Sequence, residues 1–180
     1  MAQAKRKKRF FNVEIPIIGR TTQVQAYELK ELDGRHIKYD LTRILKGKSI
    51  LLTVKINIKD EKAEIIAKEI KILPYYLKRL TRKGTSYVEN SFLANCKNSQ
   101  IRIKPFLITR KKVSRRIRKA LREASEKELQ EYVKNKSSEE IFDDILRNKL
   151  QKGLSMKLKK IYPLSVCEIR ILKVEHFLKN

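Results

Sequence analysis

Apolar and polar residues alternate along most of the chain up to residue 108, and this period of two predicts a succession of short antiparallel strands. The alternation is clearest after Gly47, where every second residue from 52 to 58 is apolar. The pair Asp33-Gly34 favours a hairpin between residues 23–29 and residues 35–41, because Asp-Gly suits the tight turns of hairpins. This part of the chain is therefore predicted to be mainly antiparallel sheet.

Two prolines interrupt the alternation. Pro74 ends one strand and leads into a short helix or loop over residues 75–82. A second hairpin is predicted about Lys97-Asn98, and it joins residues 85–96 to residues 99–108. Pro105 has no N–H to donate, so it marks that last strand as an edge strand or as the site of a bulge.

Helical periodicity begins after residue 108. Thr109 is a candidate N-cap for a first helix, and Ser137 or Ser138 precedes two glutamates at the start of a second. Gly153 is expected to end that second helix, and a third helix runs to Pro163. Strand-like alternation then returns over residues 164–174. The apolar side of the first helix is predicted to carry Val113, Ile117, Ala120, Leu121 and Ala124.

This order of elements predicts an α+β protein, with an antiparallel β-barrel-like body followed by α-helices and a closing C-terminal strand. Hydrophobic residues make up 41% of the 180-residue chain, which is enough for a packed core. The predicted organisation is a basic N-terminal arm at residues 1–11 and a single domain at residues 12–180, which is mainly β over 12–108, mainly helical over 109–162 and closed by a strand over 163–176.

Composition adds a strong positive charge to this picture. The chain has 44 Lys and Arg against 20 Asp and Glu, a formal net charge of +24 and a pI near 10.1. Self-repulsion on this scale destabilises a compact isolated chain, and a bound polyanion would relieve it. Nucleic acid is the commonest such partner. Charge alone leaves RNA, DNA, an anionic membrane and an acidic protein open.

Cysteine spacing and hydropathy indicate the compartment of the protein and argue against a membrane partner. Cys96 and Cys167 form no C-x-x-C pair, so neither a disulfide framework nor a zinc ribbon is predicted. Both are expected on strand faces as buried apolar residues. No apolar run approaches the ~18 residues that span a bilayer, and no apolar segment of a leader follows the basic N-terminus. We expect a soluble protein of a reducing, cytoplasmic compartment, without a membrane partner.

The patterns of an enzyme are missing from the sequence. His36 and His176 are the two histidines, and neither has a ligand or carboxylate at a spacing that metal binding or acid–base chemistry needs. Glycine-rich phosphate-binding motifs are also missing. The acids of residues 123–144 alternate with lysines, which is typical of a solvated helical face. We predict no catalytic residue, no metal and no cofactor. The arrangement that would reopen the enzyme class is a metal held by Glu28, Glu31, Asp33 and Asp40.

The strongest positive signal is a run of nine cations from Lys104 to Arg122 without an acid among them. If the apolar side of the helix faces the core, these side chains must project outward. Like charges four residues apart repel; such pairs are Lys111/Arg115, Arg115/Lys119 and Arg118/Arg122. Phosphate oxygens would compensate this repulsion, and the share of arginine suits bidentate phosphate contacts. A plain solvated face is the alternative, although such faces normally mix signs.

Two further basic clusters complete the predicted RNA contacts. Consecutive cations near the N-terminus favour an extended arm, and a second cluster follows Pro74. Tyr75, Tyr76 and Tyr87 neighbour that cluster, but strand tyrosines more often pack than stack on bases. Recognition of the backbone and shape of structured RNA is therefore favoured. The predicted RNA-binding residues are Lys5, Arg6, Lys7, Lys8, Arg9, Lys78, Arg79, Arg82, Lys83, Arg110, Lys111, Lys112, Arg115, Arg116, Arg118, Lys119 and Arg122.

Several stretches of the sequence resemble a known family. Residues 101–112, IRIKPFLITRKK, resemble the most recognisable block of a small-subunit ribosomal protein family of archaea and eukaryotes, called S-three-A-e in older usage and eukaryotic-type S-one in the newer. Residues 159–164, KKIYPL, and residues 168–170, EIR, resemble its closing block. KRFF at 8–11 and DLT at 40–42 fit its opening. The similarity covers nearly the whole chain in the same order.

The resemblance implies a structural, non-catalytic role on the platform of the small subunit, near the 3′ end of its ribosomal RNA and the mRNA exit. It also implies neighbouring ribosomal proteins as partners, a cytoplasmic ribosome as the location, and an archaeal-type member because the chain is short. One departure is that residues 73–81, LPYYLKRLT, stand where members usually carry a Gly-His-Asp-Leu-Thr-like stretch. A free-standing basic RNA-binding or chaperone-like module is the alternative function.

Overall fold

A computed structural model describes residues 7–45, 47–59 and 62–177. Nine strands and four α-helices lie in this part of the chain, together with a short 3-10 helix at Leu29–Leu32. The strands are β1 (Arg9–Ile15), β2 (Arg20–Ala26), β3 (His36–Asp40), β4 (Ile50–Lys59), β5 (Lys62–Ile72), β6 (Tyr87–Glu89), β7 (Phe92–Asn95), β8 (Ser99–Thr109) and β9 (Leu164–Phe177). The helices are α1 (Pro74–Leu80), α2 (Arg115–Lys134), α3 (Ser138–Leu146) and α4 (Lys149–Leu158).

The contacts divide the chain into two compact units. The first unit comprises Met1–Tyr39 and Thr53–Lys68, and the second comprises Asp40–Leu52 and Glu69–Asn180. Strands β4 and β5 therefore each contribute residues to both units. The arm and single domain expected from the sequence stay a prediction.

In the first unit, β1 and β2 form an antiparallel hairpin in which Arg9 lies opposite Ala26 and Ile15 opposite Arg20. The turn is closed by Gly19, whose φ of +63° suits a residue without a Cβ. The core of this unit is built on Ala26, Leu32 and Ile56. Partly buried hydrophobic residues from β1 to β5 pack against them: Phe11, Val24, Ile37, Ile58 and Ala63. Alternation explains this burial, since every second residue of β4 faces inward.

The hairpin predicted about Asp33-Gly34 is wrong. Strand β2 pairs with β1, and β3 pairs with β4. The Asp-Gly pair does turn the chain, but it does so beside β4: the carboxylate of Asp33 accepts a hydrogen bond from the Ile58 N–H at 3.1 Å, and the Gly34 N–H donates to the Ile56 carbonyl at 2.9 Å. Turn chemistry was readable from the sequence, whereas the identity of the paired strand was not.

In the second unit the strand order is β5-β9-β8-β6, and β7 also pairs with β8. All of these pairings are antiparallel. The predicted hairpin about Lys97-Asn98 is confirmed, since β7 and β8 pair across it. The C-terminal strand β9 lies between β5 and β8, so it is central. Pro105 lies at a register shift between β8 and β9, which confirms the predicted bulge. On the other side of β8, the pairing with β7 ends at Ile103 and that with β6 begins at Phe106.

The helical part follows the predicted caps with two corrections. Ser137 caps α3 and forms a capping box with Glu140. Gly153 does not end a helix, because it lies inside α4; the break falls at Asn148, whose φ of +58° is left-handed. The first helix begins at Arg115 with Ser114 as its N-cap, so Thr109 is not the cap.

The α+β class is confirmed, with antiparallel sheets, four helices and a C-terminal strand. Among the described strands no closed barrel is found, and the barrel-like body stays a prediction. The core of the second unit includes Leu129, Val133, Ile141 and Phe142 from the helices, all 1% exposed or less.

Candidate nucleic-acid interface

A short extended segment joins β8 to α2 and carries the first cations of the candidate site. Thr109, at the end of β8, is fully buried, and its hydroxyl accepts from the Ser86 N–H at 3.1 Å and lies 2.7 Å from the Lys111 carbonyl. The Val113 N–H donates to the Ser86 hydroxyl at 3.3 Å. These contacts hold the backbone of the segment, while Arg110, Lys111 and Lys112 are exposed.

Helix α2 continues this cationic run on a rigid element. Its side toward the core carries Leu121, Ser125, Leu129 and Val133, all buried at intervals of four residues. Of the predicted apolar side, Leu121 is buried and Ile117, Ala120 and Ala124 are half-buried. Val113 is not part of this side, because it precedes the helix. The serine cap is local, since the Ser114 side chain accepts from the Ile117 N–H at 3.5 Å.

We call the cations of the segment between β8 and α2, together with those of the first two turns of α2, the basic face. Seven of them are exposed and Arg118 is half-buried, with its Nε buried and without a partner among the described residues. In the part of the chain that the structure describes, one ion pair involves the basic face: Lys119 Nζ lies 3.8 Å from Glu123 Oε1, and both side chains are largely exposed. The basic face comprises Arg110, Lys111, Lys112, Arg115, Arg116, Arg118, Lys119 and Arg122.

The positive charges of the basic face are electrostatically unfavourable at the N-terminus of helix α2. The N-terminus of a helix carries a partial positive charge that favours anions, yet the first turn of α2 holds arginines and no acid. Arg115/Lys119 and Arg118/Arg122 are like-charged pairs at helical spacing. Lys111/Arg115 is not such a pair, because Lys111 precedes the helix. Folding alone does not explain this arrangement, whereas an anion bound at this end would be favoured by both effects.

A second cationic cluster lies at the end of α1. Lys78 and Arg79 are exposed in its last turn, where a positive charge is favourable for the helix itself. Arg82 and Lys83 follow in an exposed turn, in which the Thr85 hydroxyl donates to the Arg82 carbonyl at 2.7 Å. Helix stability thus explains the first two cations, and the other two have no such structural role.

The N-terminal cluster belongs to the first unit. Lys5 and Arg6 lie outside the described residues. Lys7, Lys8 and Arg9 are exposed, and the Lys8 ammonium lies 5.6 Å from the centroid of the Tyr27 ring. Because β1 begins at Arg9, the described end of the predicted arm is already strand.

Sequence reasoning missed Glu89 and Arg170, two charged residues of a groove beside the basic face. This cationic groove, of about 490 Å³, is lined by Lys104, Arg122 and Arg170 together with Glu89 and its neighbours. Nη1 of Arg170 donates to both carboxylate oxygens of Glu89, at 3.0 and 3.1 Å, and Arg122 Nε donates to the Glu89 carbonyl at 3.3 Å. Strand pairing brings these residues together across 81 positions, which no local pattern reveals.

The groups that enzyme chemistry would need are placed apart or engaged elsewhere. Within residues 7–45, 47–59 and 62–177, no group of three or more His, Cys, Asp or Glu could hold a metal ion. Asp33 bonds the backbone of Ile58, and Asp40 accepts from the N–H and hydroxyl of Thr42. Burial and the charge of Glu168 raise the pKa of the Cys167 thiol to about 12, so this thiol is protonated at neutral pH.

These features define a class: a strongly basic α+β protein that presents a one-signed cationic surface, the pattern of a nucleic-acid-binding protein. None of the described helices has the length and apolar character needed to cross a membrane. The model of the Ribosomal S3Ae family matches residues 3–177, and the chain therefore belongs to this family of ribosomal proteins. The resemblance found in the sequence is confirmed.

Individual relatives agree with the family. The chain is 24% identical to small ribosomal subunit protein eS1 of Nanoarchaeum equitans, over 88% of this chain and 84% of the relative. It is 28% identical to the protein of that name from Haloarcula marismortui, over 94% of this chain and 83% of the relative. A match to the protein from Methanothermobacter thermautotrophicus is 30% identical over 52% of this chain and 49% of the relative.

Proposed function

We propose that this chain is a structural protein of the small ribosomal subunit and that its basic face binds phosphates of ribosomal RNA. The observation that carries the proposal is a helix N-terminus that holds exposed arginines and no acid. In isolation the charges of this face repel each other and the helix dipole. Bound phosphate groups would attract both the cations and the positive end of the helix dipole, so that repulsion becomes attraction. Arginine can also hold phosphate by paired hydrogen bonds.

The other two cationic clusters extend the proposed contact. Lys78, Arg79, Arg82 and Lys83 at the end of α1 are exposed on the second unit, and the N-terminal cations are exposed on the first. The absence of aromatic residues from the basic face favours contact with the backbone of folded RNA over readout of its bases.

The names of the relatives support a location in the small ribosomal subunit. They are called small ribosomal subunit proteins, and this supports a scaffolding role in translation, in the cytoplasm, beside other proteins of the subunit. We further propose the platform, near the 3′ end of the ribosomal RNA, as the position of the chain. The family supports a structural role without catalysis.

The test compares two double charge reversals that change the net charge equally. Arg115→Glu with Arg116→Glu alters the basic face, and Lys127→Glu with Lys152→Glu alters exposed lysines elsewhere on the helices. We expect the first variant to bind small-subunit ribosomal RNA about 100-fold more weakly, since each charged hydrogen bond contributes about 1.5 kcal/mol or more. The slope of log affinity against log salt should fall by about 2. The second variant should keep nearly wild-type values.

Equal losses in both variants would mean that only net charge matters, and this would contradict a specific face. Sucrose-gradient sedimentation then tests whether the chain is a stable part of the small subunit. Co-migration of the wild-type chain with small subunits in high salt supports a structural constituent, whereas release at modest salt supports the free-standing RNA-binding or chaperone-like module.

A further inference from the structure

A second groove lies next to the cationic groove, and its walls combine aromatic and apolar side chains with charged ones. This aromatic groove, of about 510 Å³, runs between α1, which contributes Leu77 and Lys78, and the strands that carry Tyr87, Phe106 and Arg170. The volume lies within the range of about 300–1,000 Å³ that is typical of pockets for small molecules. Glu89 and Arg170 line both grooves, so the two are adjacent and share a wall.

Strand register explains the aromatic pair in this groove. Glu89 lies opposite Phe106, and Tyr87 lies opposite Ile108, so Tyr87 and Phe106 are diagonal neighbours on one face of the sheet. Their ring centroids are 6.3 Å apart with an interplanar angle of 23°, which is a stacked arrangement. Phe106 is 4% exposed, whereas Tyr87 is 58% exposed. The exposed ring thus lies against a buried one and offers an aromatic surface to the solvent.

The charges around this surface are arranged for an anion. The one carboxylate that lines the aromatic groove, Glu89, is already engaged with Nη1 of Arg170. Among the described residues, both hydrogen bonds of this guanidinium use Nη1, and its remaining N–H donors are left for other acceptors. Lys78 lies on the opposite wall, and Lys104 and Arg122 continue the positive charge into the cationic groove.

We propose that the aromatic groove binds one unpaired nucleotide of RNA, with its base stacked on Tyr87 and its phosphates at Arg170 and along the cationic groove. A peptide side chain could fill the apolar part, but four cations around one engaged carboxylate favour a polyanion. The proposal rests on the proposed RNA-binding function and adds to it a site for a single-stranded segment. For Tyr87 it replaces the expectation that the tyrosines of this region pack and do not stack on bases.

The test measures binding of the full chain to a single-stranded hexa-adenylate RNA and to inorganic polyphosphate of similar charge. Tyr87→Ala should weaken binding of the RNA about tenfold or more, because one stacked base is lost. It should leave binding of polyphosphate unchanged. Tyr87→Phe keeps the ring and should bind the RNA like the wild type. Met156→Ala, which truncates another side chain that is 70% exposed, is the control.

Tyr87→Leu keeps an apolar side chain without a ring and separates stacking from loss of local packing. The same weakening in Tyr87→Leu as in Tyr87→Ala supports the proposal, provided that both variants melt like the wild type. Unchanged RNA binding in Tyr87→Ala, or equal weakening for RNA and polyphosphate, overturns it while leaving the basic face as an RNA contact. Unchanged RNA binding together with loss of a neighbouring protein from subunits also overturns it and assigns the groove to a protein segment. Failure of the wild-type chain to bind hexa-adenylate overturns the nucleotide site alone, whereas failure to bind small-subunit ribosomal RNA overturns both proposals.

Discussion

Asp144 is buried on α3 and accepts hydrogen bonds from Lys136 Nζ and, at 2.8 Å, from the Tyr132 hydroxyl. The prediction that the acids of residues 123–144 form a solvated face is therefore wrong at this position. Burial favours the neutral forms of both ionisable partners, but their hydrogen bonds outweigh it. The pKa of Asp144 thus lies below its ordinary 3.8, and the pKa of Lys136 lies above its ordinary 10.5. The neighbouring Asp143 is more exposed and pairs with Arg147 at 2.9 Å.

Asp144→Asn should lower the free energy of unfolding by about 1–2 kcal/mol, because the amide keeps the shape but loses the charge that strengthens two hydrogen bonds. Asp143→Asn is the matched control and should cost about 0.3–0.5 kcal/mol, the value of an exposed pair on a helix. The lowered pKa means that this contribution is present above pH 3.8 and is lost as the pH falls through the folded-state pKa. The difference between wild type and Asp144→Asn, measured by chemical denaturation, should shrink in that acid range. A difference that is independent of pH there would contradict the ion pair.

At the start of helix α2, the same substitutions should affect the free energy of unfolding and the RNA affinity in opposite directions. Arg115 and Arg116 lie in its first turn, where a negative charge is favourable. Their reversal to glutamate should raise the free energy of unfolding of the isolated chain by about 0.3–1 kcal/mol per residue, while the same variant loses RNA affinity. Thermal or urea unfolding at low salt checks this. A destabilised variant would mean that the arginines are needed by the fold itself.

Most elements were predictable because their signals are local. Alternation located β4, β5 and β8, and the serine and glutamate pattern located the start of α3. The start of α2 was misplaced because Thr109 and Ser114 are both acceptable caps, and only tertiary contacts decide between them. Thr109 is used by Ser86, a residue 23 positions earlier, so the helix begins later. Element identity thus followed from the sequence, while strand partners and one helix start depended on distant residues.

The candidate site, which combines residues from distant parts of the chain, was only partly predictable. The cations of residues 110–122 form one run, and composition and spacing were sufficient to find them. The grooves beside them combine Lys78, Tyr87 and Glu89 with Arg170, which come from three separate parts of the chain. The alternation of β6 and β9 placed these side chains on strands, but it could not show that the strands meet through β8.

The proposed role of this protein requires a polyanion against the basic face. The most direct measurement is ultraviolet crosslinking of RNA to this chain in assembled small subunits, with the crosslinked peptides identified by mass spectrometry. We predict crosslinks within residues 104–122, and few on the exposed lysines of α4 such as Lys152. Crosslinks confined to α3 and α4, with residues 104–122 unmodified, would contradict RNA binding by the basic face.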